Sequence, residues 1–320
     1  MSTRPPAPPP PPPNPSLGTP AAALAMVGWA ASGVISKGLA EIGPLAVTFW
    51  RMWLYTAVVL VFLWLNGAPL RLASVKVSAA GGVSLAFDIM LFFTSVRLTT
   101  IANATVMTSL QPVLIMLIAP RLFGEHPTRR HWALNGVAVV GVAVVVFGSS
   151  GLPEWSPVGD ALSLLTLFAW TGYFLFSKLS TRRIDSSQYT AGSALVCSLV
   201  VTPFALASGQ VFDAPSAGAW LWLGVLAVGP GFASHMLMNW SLARIPAWFG
   251  STLTLAIPVS STLLAWAFLD ERVALLQFVG MGVVMLALSA VVADQSRSTR
   301  NRRRADGLDS PDGPDGPARR

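Results

Sequence analysis

The chain has 320 residues, of which 53% are hydrophobic and only 11% charged, with a formal net charge of +7. Charged residues make up about a quarter of an ordinary soluble domain, so that class is excluded. A nucleic-acid partner is excluded as well, because the basic residues flank apolar runs along the chain and form no single patch.

Residues 5–15 are nearly all proline, which predicts an extended, coreless segment. Residues 1–18 are expected to form a disordered cytoplasmic tail. The apolar run that follows is too long for the core of a cleavable signal. Ten such runs occur: 19–40, 44–66, 77–97, 101–122, 130–149, 158–179, 187–208, 218–243, 247–269 and 273–292. Each is long enough to cross about 30 Å of hydrocarbon. The expected fold is an all-α membrane protein of ten transmembrane helices, with no room for a soluble domain.

The first run carries Trp29, Ser32, Gly33, Ser36 and Lys37. Helical positions i, i+3, i+4 and i+7 share a face, so Trp29 and Ser32 belong to one stripe. That stripe is a candidate cavity wall; the plainer alternative is a packing Trp with Lys37 as an interfacial anchor. The second run opens on Pro44 and contains Arg51. The third has Gly81-Gly82 near its start, then Asp88 near its middle and Phe92 one turn on. A charge at that depth is expensive unless it is paired or hydrated. Three roles fit Asp88: a partner for Arg51, a site for a cationic substrate group, or the carrier of a coupling proton.

The fourth run holds Thr105, Thr108 and Pro112, followed by Glu125 and then Gly136. This block is said twice. Ser251, Thr254, Pro258, Glu271 and Gly282 repeat it at a common shift of 146 (258 minus 112). Glutamate is scarce, with Glu41, Glu125, Glu154 and Glu271 the full set, so a match using two of them is no accident. Each Pro removes a bond to the carbonyl four residues before, that of Thr108 or Thr254. Pro112 and Pro258 are therefore expected kinks, with the hydroxyls re-satisfying the backbone. Glu125 and Glu271 are expected structural helix-end acids that cap the next helix or pair with Arg129 and Arg272.

In the sixth run Trp170, Tyr173, Phe174, Ser177 and Lys178 mirror the first, at a shift of 141 (170 minus 29). The eighth is interrupted by Gly229, Pro230 and Gly231, and His235, Asn239 and Trp240 follow. Interrupted segments at matching places in two halves point to a transporter's binding site. His235 and Asp88 miss exact correspondence by one residue. Residues 293–320, which include Arg302–Arg304, are expected to form a basic, disordered cytoplasmic tail near anionic lipid headgroups.

The repeats thus cover 19–149 and 158–292. Each has five helices, an odd number, so the second must enter the membrane inverted. With the N-terminus inside, the cytoplasmic side collects Arg71, Lys76, Arg121, Arg129, Arg130, Arg182, Arg183 and Arg244, while the other side keeps Lys37, Arg97 and Arg272. That bias places both termini in the cytoplasm of a cell that carries the chain as a multi-pass protein of its plasma (inner) membrane.

The Trp-to-Lys spacing, Pro44 with Arg51, and the duplicated Pro…Glu…Gly block together resemble the EamA-type transporters of the drug/metabolite transporter superfamily. The resemblance covers about residues 19–292. It implies two inverted five-helix repeats around a cavity walled by the first, third, fourth, sixth, eighth and ninth helices. It also implies transport of amino acids, their derivatives or other small metabolites, often outward. Asp88 and His235 map to no family-wide motif, so their roles rest on burial.

The expected function is a secondary transporter working by alternating access. The alternative is a membrane-embedded enzyme acting on a lipid-linked substrate, but clustered carboxylates or a His-rich metal site would be needed, and neither is seen in the sequence. No nucleotide-binding loop occurs, and no cofactor or metal is expected. The candidate substrate-binding residues are Trp29, Ser32, Asp88, Phe92, Thr108, Trp170, Tyr173, His235, Asn239, Trp240 and Thr254. The partners expected are a small-molecule substrate and membrane lipids, with proton coupling and a homodimer as open alternatives.

Overall fold

The computed structural model describes residues 17–99, 101–150, 156–269 and 272–305. Among these residues the regular elements are all helices. They are α1 (Gly18–Lys37), α2 (Pro44–Leu65), α3 (Leu72–Leu98), α4 (Ile101–Thr108), α5 (Gln111–Phe123), α6 (Arg129–Ser150) and α7 (Pro157–Ser180). Then follow α8 (Ser186–Ala207), α9 (Ala217–Leu226), α10 (Ser234–Leu242), α11 (Ala247–Leu253), α12 (Ala256–Leu269) and α13 (Leu275–Ala305). A π-helical turn, Ala227–Ala233, joins α9 to α10. They make ten candidate membrane spans among the described residues. The fourth span is α4 with α5, the eighth is α9 through α10, and the ninth is α11 with α12; the others are single helices.

The ends of the helices follow local chemistry. Pro44 and Pro157 open α2 and α7 from extended residues, where a missing N–H costs nothing. The Asp185 carboxylate accepts from Ser187 N at 2.9 Å and starts α8, and Ser216 Oγ accepts from Ala219 N at 3.1 Å and starts α9. Gly124 closes α5 with a φ of 68°, a left-handed conformation that glycine adopts freely. Beyond it Glu125 is turned toward the second half of the chain.

Two ends differ from the hydropathy reading. The third span starts at Leu72 rather than 77, because Lys76 at a helix end can extend its charge outward while its stem packs. The last helix runs to Ala305 rather than ending at 292. Asp294 holds that extension, pairing with Arg130 at 3.1 Å and with His131 at 2.8 Å. The residues from 293 to 305, expected to be disordered, are helical. The proline tract and the end of the chain beyond Ala305 lie outside the described residues.

The two halves interleave. Helix α3 packs along α7 and α8, and α2 along α8; α1 packs on α10 and α12; α6 pairs with α13. Most of the core is therefore the interface between the repeats, as inversion about an axis in the membrane plane requires. Small residues allow these approaches. A Cβ on Gly82 would lie 2.8 Å from Ser193 O, and one on Gly192 would lie 2.7 Å from Ser78 Oγ. This corrects the expectation that Gly81-Gly82 interrupts the third span. Helix α3 is continuous over 27 residues, and its paired glycines let α8 come close.

At the matched prolines the backbone is broken outright. Helix α4 ends at Thr108 and α5 begins at Gln111; α11 ends at Leu253 and α12 begins at Ala256. The gaps are bridged by tighter i−3 bonds, Leu110 N to Met107 O at 3.1 Å and Leu255 N to Thr252 O at 3.2 Å. The hydroxyls bond carbonyls of the preceding turn and not the freed ones: Thr108 Oγ1 donates to Ala104 O at 2.9 Å and Thr254 Oγ1 to Ser251 O, while the freed Thr254 carbonyl accepts from Ile257 N at 2.9 Å.

Candidate functional site

A cavity of about 210 Å³ opens between the halves. Its wall comes from the first span (Trp29, Ser32), the third (Leu85, Asp88, Ile89, Phe92, Phe93), the fourth (Thr108) and the sixth (Thr166, Trp170). Arg51 of α2, His235 of α10 and Ile257 of α12 complete it. Seven of the sequence candidates meet here: Trp29, Ser32, Asp88, Phe92, Thr108, Trp170 and His235.

Trp29 and Trp170 hold equivalent places in the two repeats, and they meet edge to face with ring centroids 5.2 Å apart. Trp29 also meets His235 edge to face at 5.1 Å, and Tyr55 stacks on the same imidazole at 5.6 Å. Aromatic edges and faces attract in this arrangement, so the rings form a stiff wall. The π turn enters here. Such a turn closes with one residue more than an α turn, which moves His235 one position out of register with Asp88. Gly229, Pro230 and Gly231 all lie in it.

Arg51 is buried, yet it lines the cavity; its Nε is sealed away from that space without a hydrogen-bond partner. Asp88 is half-buried and lines the same space. Among the described residues no direct ion pair joins them. They are a guanidinium and a carboxyl group facing one aromatic-walled space. Sequence reasoning noticed Arg51 but did not count it among the site residues; its depth in an apolar run was the available signal.

Tyr173 and Asn239 stand one layer behind. Tyr173 Oη lies 2.9 Å from His235 Nδ1 and donates to Asn239 Oδ1 at 3.2 Å. Asn239 Oδ1 also accepts from Ser177 Oγ at 2.8 Å, and its amide donates to Thr190 Oγ1 at 2.9 Å. Thr254 sits at the ninth-span break with its Oγ1, whose proton goes to Ser251 O, 3.4 Å from Gln111 Oε1. Gln111, fully buried, donates in turn to Trp170 O at 3.4 Å. This amide, unnoticed in sequence, ties the two breaks to the tryptophan wall. Trp240 is apart from the cavity; the Arg244 guanidinium covers its ring at 3.5 Å.

Glu125 does not cap the next helix or pair with Arg129. Its Oε2 accepts from Ala247 N at 2.7 Å and its Oε1 lies 3.1 Å from Lys178 Nζ. Lys178 further donates to the carbonyls of Leu242 and Ile245. Glu271 lies outside the described residues.

Two segments, 16–147 and 157–293, match the model of the EamA-like transporter family. An uncharacterized transporter of Archaeoglobus fulgidus is 24% identical over 279 residues, covering 83% of this chain and 93% of its own. The uncharacterized transporter YwfM of Bacillus subtilis is 25% identical over 274 residues, covering 83% and 90%. A solved structure described only as that of a protein shares the fold with a TM-score of 0.78 at 19% identity, covering 88% of this chain and 98% of that one.

Proposed function

Because the chain belongs to the EamA-like transporter family, we propose that this membrane transporter exports a small zwitterionic metabolite such as an amino acid or a derivative. The observation that carries the reading is Arg51 and Asp88 lining one cavity without a direct ion pair. A guanidinium presents a planar fork that matches a carboxylate. The Asp88 carboxylate accepts from an ammonium. A zwitterion therefore neutralises both groups at once, and the tryptophan wall takes its side chain.

Transport then follows from symmetry. The halves rock about the midplane cavity, and the breaks before Pro112 and Pro258 give each half a flexible joint. The chain spans the cell membrane with both termini in the cytoplasm. The contacts of Glu125 with Lys178 and Ala247 join the two halves and support a role as a gate whose release opens that face.

Efflux from proteoliposomes loaded with a labelled amino-acid mixture tests this reading. Arg51→Gln and Asp88→Asn should each abolish efflux. An Asp88→Asn variant with full activity and full response to an imposed pH gradient would remove Asp88 from both substrate binding and proton coupling. Equal efflux from loaded protein-free liposomes and loaded proteoliposomes for every amino acid would overturn the substrate class.

A further inference from the structure

His235 is held from behind by a chain of hydrogen bonds whose direction can be read from its far end. Thr190 Oγ1 gives its single proton to Ser186 O at 2.7 Å, a carbonyl that can only accept. Its lone pairs therefore face Asn239, which must turn its N–H toward Thr190 at 2.9 Å. Asn239 Oδ1 then points at Ser177 and Tyr173, and it takes a proton from each, at 2.8 and 3.2 Å. The Tyr173 proton is thereby spent. If it pointed at His235 instead, two lone-pair-bearing oxygens would face each other in a buried place with nothing between them.

At 2.9 Å from Tyr173 Oη, His235 Nδ1 is left to donate. A neutral imidazole with its proton on Nδ1 has a bare lone pair on Nε2. Nε2 has no protein partner among the described residues, and it is not one of the buried side-chain atoms sealed without one. His235 lines the cavity. Its Nε2 is the acceptor it offers there.

We propose that His235 is a specificity-determining residue, whose Nε2 accepts a hydrogen bond from an N–H or O–H group on the substrate's side chain. Asn239 and Tyr173 are positioning residues that hold the imidazole in the Nδ1–H form. The proposal rests on the zwitterion reading above and deepens it: the preferred solute carries a side-chain donor besides its two charged groups. A pocket built to bond such a group rejects the analogue that lacks it, because the acceptor is then left dry and unpaired.

Two readouts on the full chain test it. With only three histidines in the sequence, 15N-histidine labelling resolves His235 by comparison with His235→Asn. The expected spectrum has a protonated Nδ1 and an unprotonated Nε2; the reverse overturns the proposal. Binding of tyrosine and phenylalanine, which differ by one hydroxyl, should favour tyrosine by on the order of tenfold, the change one net hydrogen bond supplies. Equal binding overturns it. Asn239→Leu frees the Tyr173 proton for Nδ1, so it should move the imidazole proton to Nε2 with His235 itself intact. An unchanged tautomer in that variant also overturns the proposal. If neither amino acid binds, the zwitterion reading fails, and the spectrum alone decides on the acceptor.

Discussion

Glu125 Oε1 lies 3.1 Å from Lys178 Nζ while its Oε2 accepts the backbone N–H of Ala247 at 2.7 Å. One side chain from the end of α5 thus ties together the sixth, eighth and ninth spans of the other repeat, since Lys178 also binds the carbonyls of Leu242 and Ile245. Both charged side chains are mostly covered, at 14% and 11% exposure. Removing one partner of a buried pair leaves an uncompensated charge, which costs roughly 3–5 kcal/mol. Glu125→Ala should cost that much and lower the yield of folded protein. Lys178→Met should cost less, because Glu125 keeps its backbone donor. Thermal unfolding of the purified variants measures the order. Unchanged yield with altered substrate selectivity would place Glu125 in the transport site instead.

The unpaired state of Arg51 has its own consequence. A lysine there keeps the charge but loses the planar fork that grips both oxygens of a carboxylate. Arg51→Lys should raise the KM for efflux by about tenfold, the equivalent of one charge-assisted bond, and leave kcat within about twofold of the parent. Concentration-dependent efflux from proteoliposomes separates the two. A drop in kcat at constant KM would mean that Arg51 acts on a conformational step.

The broken spans predict a separation of stability from rate. Pro112→Ala and Pro258→Ala restore an N–H within reach of Thr108 and Thr254, so each break can straighten toward continuous helix. The folded protein should become as stable as the parent or more so, while transport slows because the joint has stiffened. Melting temperature and initial efflux rate, measured on the double variant, test the pair of claims. A faster-moving double variant would show that the breaks are structural accommodations with no part in the cycle.

The ten spans and the duplication were legible because hydropathy and residue spacing are local properties that survive unaided reading. The site was legible where an unusual residue stood in an apolar run: Asp88, His235 and the paired tryptophans all face the cavity. Phe93, Thr166 and Ile257 were not, because an apolar or hydroxyl residue looks alike whether it faces lipid, core or cavity. Gln111 was missed for another reason. An amide beside a proline reads as part of a kink, and only the folded chain brings Trp170 and Thr254 to it. Trp240 follows Asn239 in sequence, but Arg244 covers its ring and it does not line the cavity. The neighbours of Glu125 in sequence suggest a local partner, whereas the one it binds, Ala247, lies 122 residues on.

The glycines make the same lesson testable, since the conspicuous pair and the decisive pair differ. Gly136 and Gly282 belong to the repeated block, yet a Cβ at either would meet nothing within 4 Å. Alanine there should be neutral or stabilising by up to about 1 kcal/mol, the helix-propensity difference. Gly82 and Gly192 have no counterpart in the block, but they bring α3 and α8 together. A methyl at Gly82 would meet Ser193 O at 2.8 Å and Val196, and a methyl at Gly192 would meet Ser78 Oγ at 2.7 Å. The helices must separate to admit it, at a cost of roughly 1–3 kcal/mol. The Ser193 contact is backbone and cannot rotate away, so Gly82→Ala should be the worse of the two. Melting temperatures of the four alanine variants in one detergent should fall in that order, with Gly82→Ala lowest and the two block glycines at or above the parent. A loss at Gly136 equal to that at Gly82 would mean that the repeated block itself packs against a surface this arrangement of helices does not present to it.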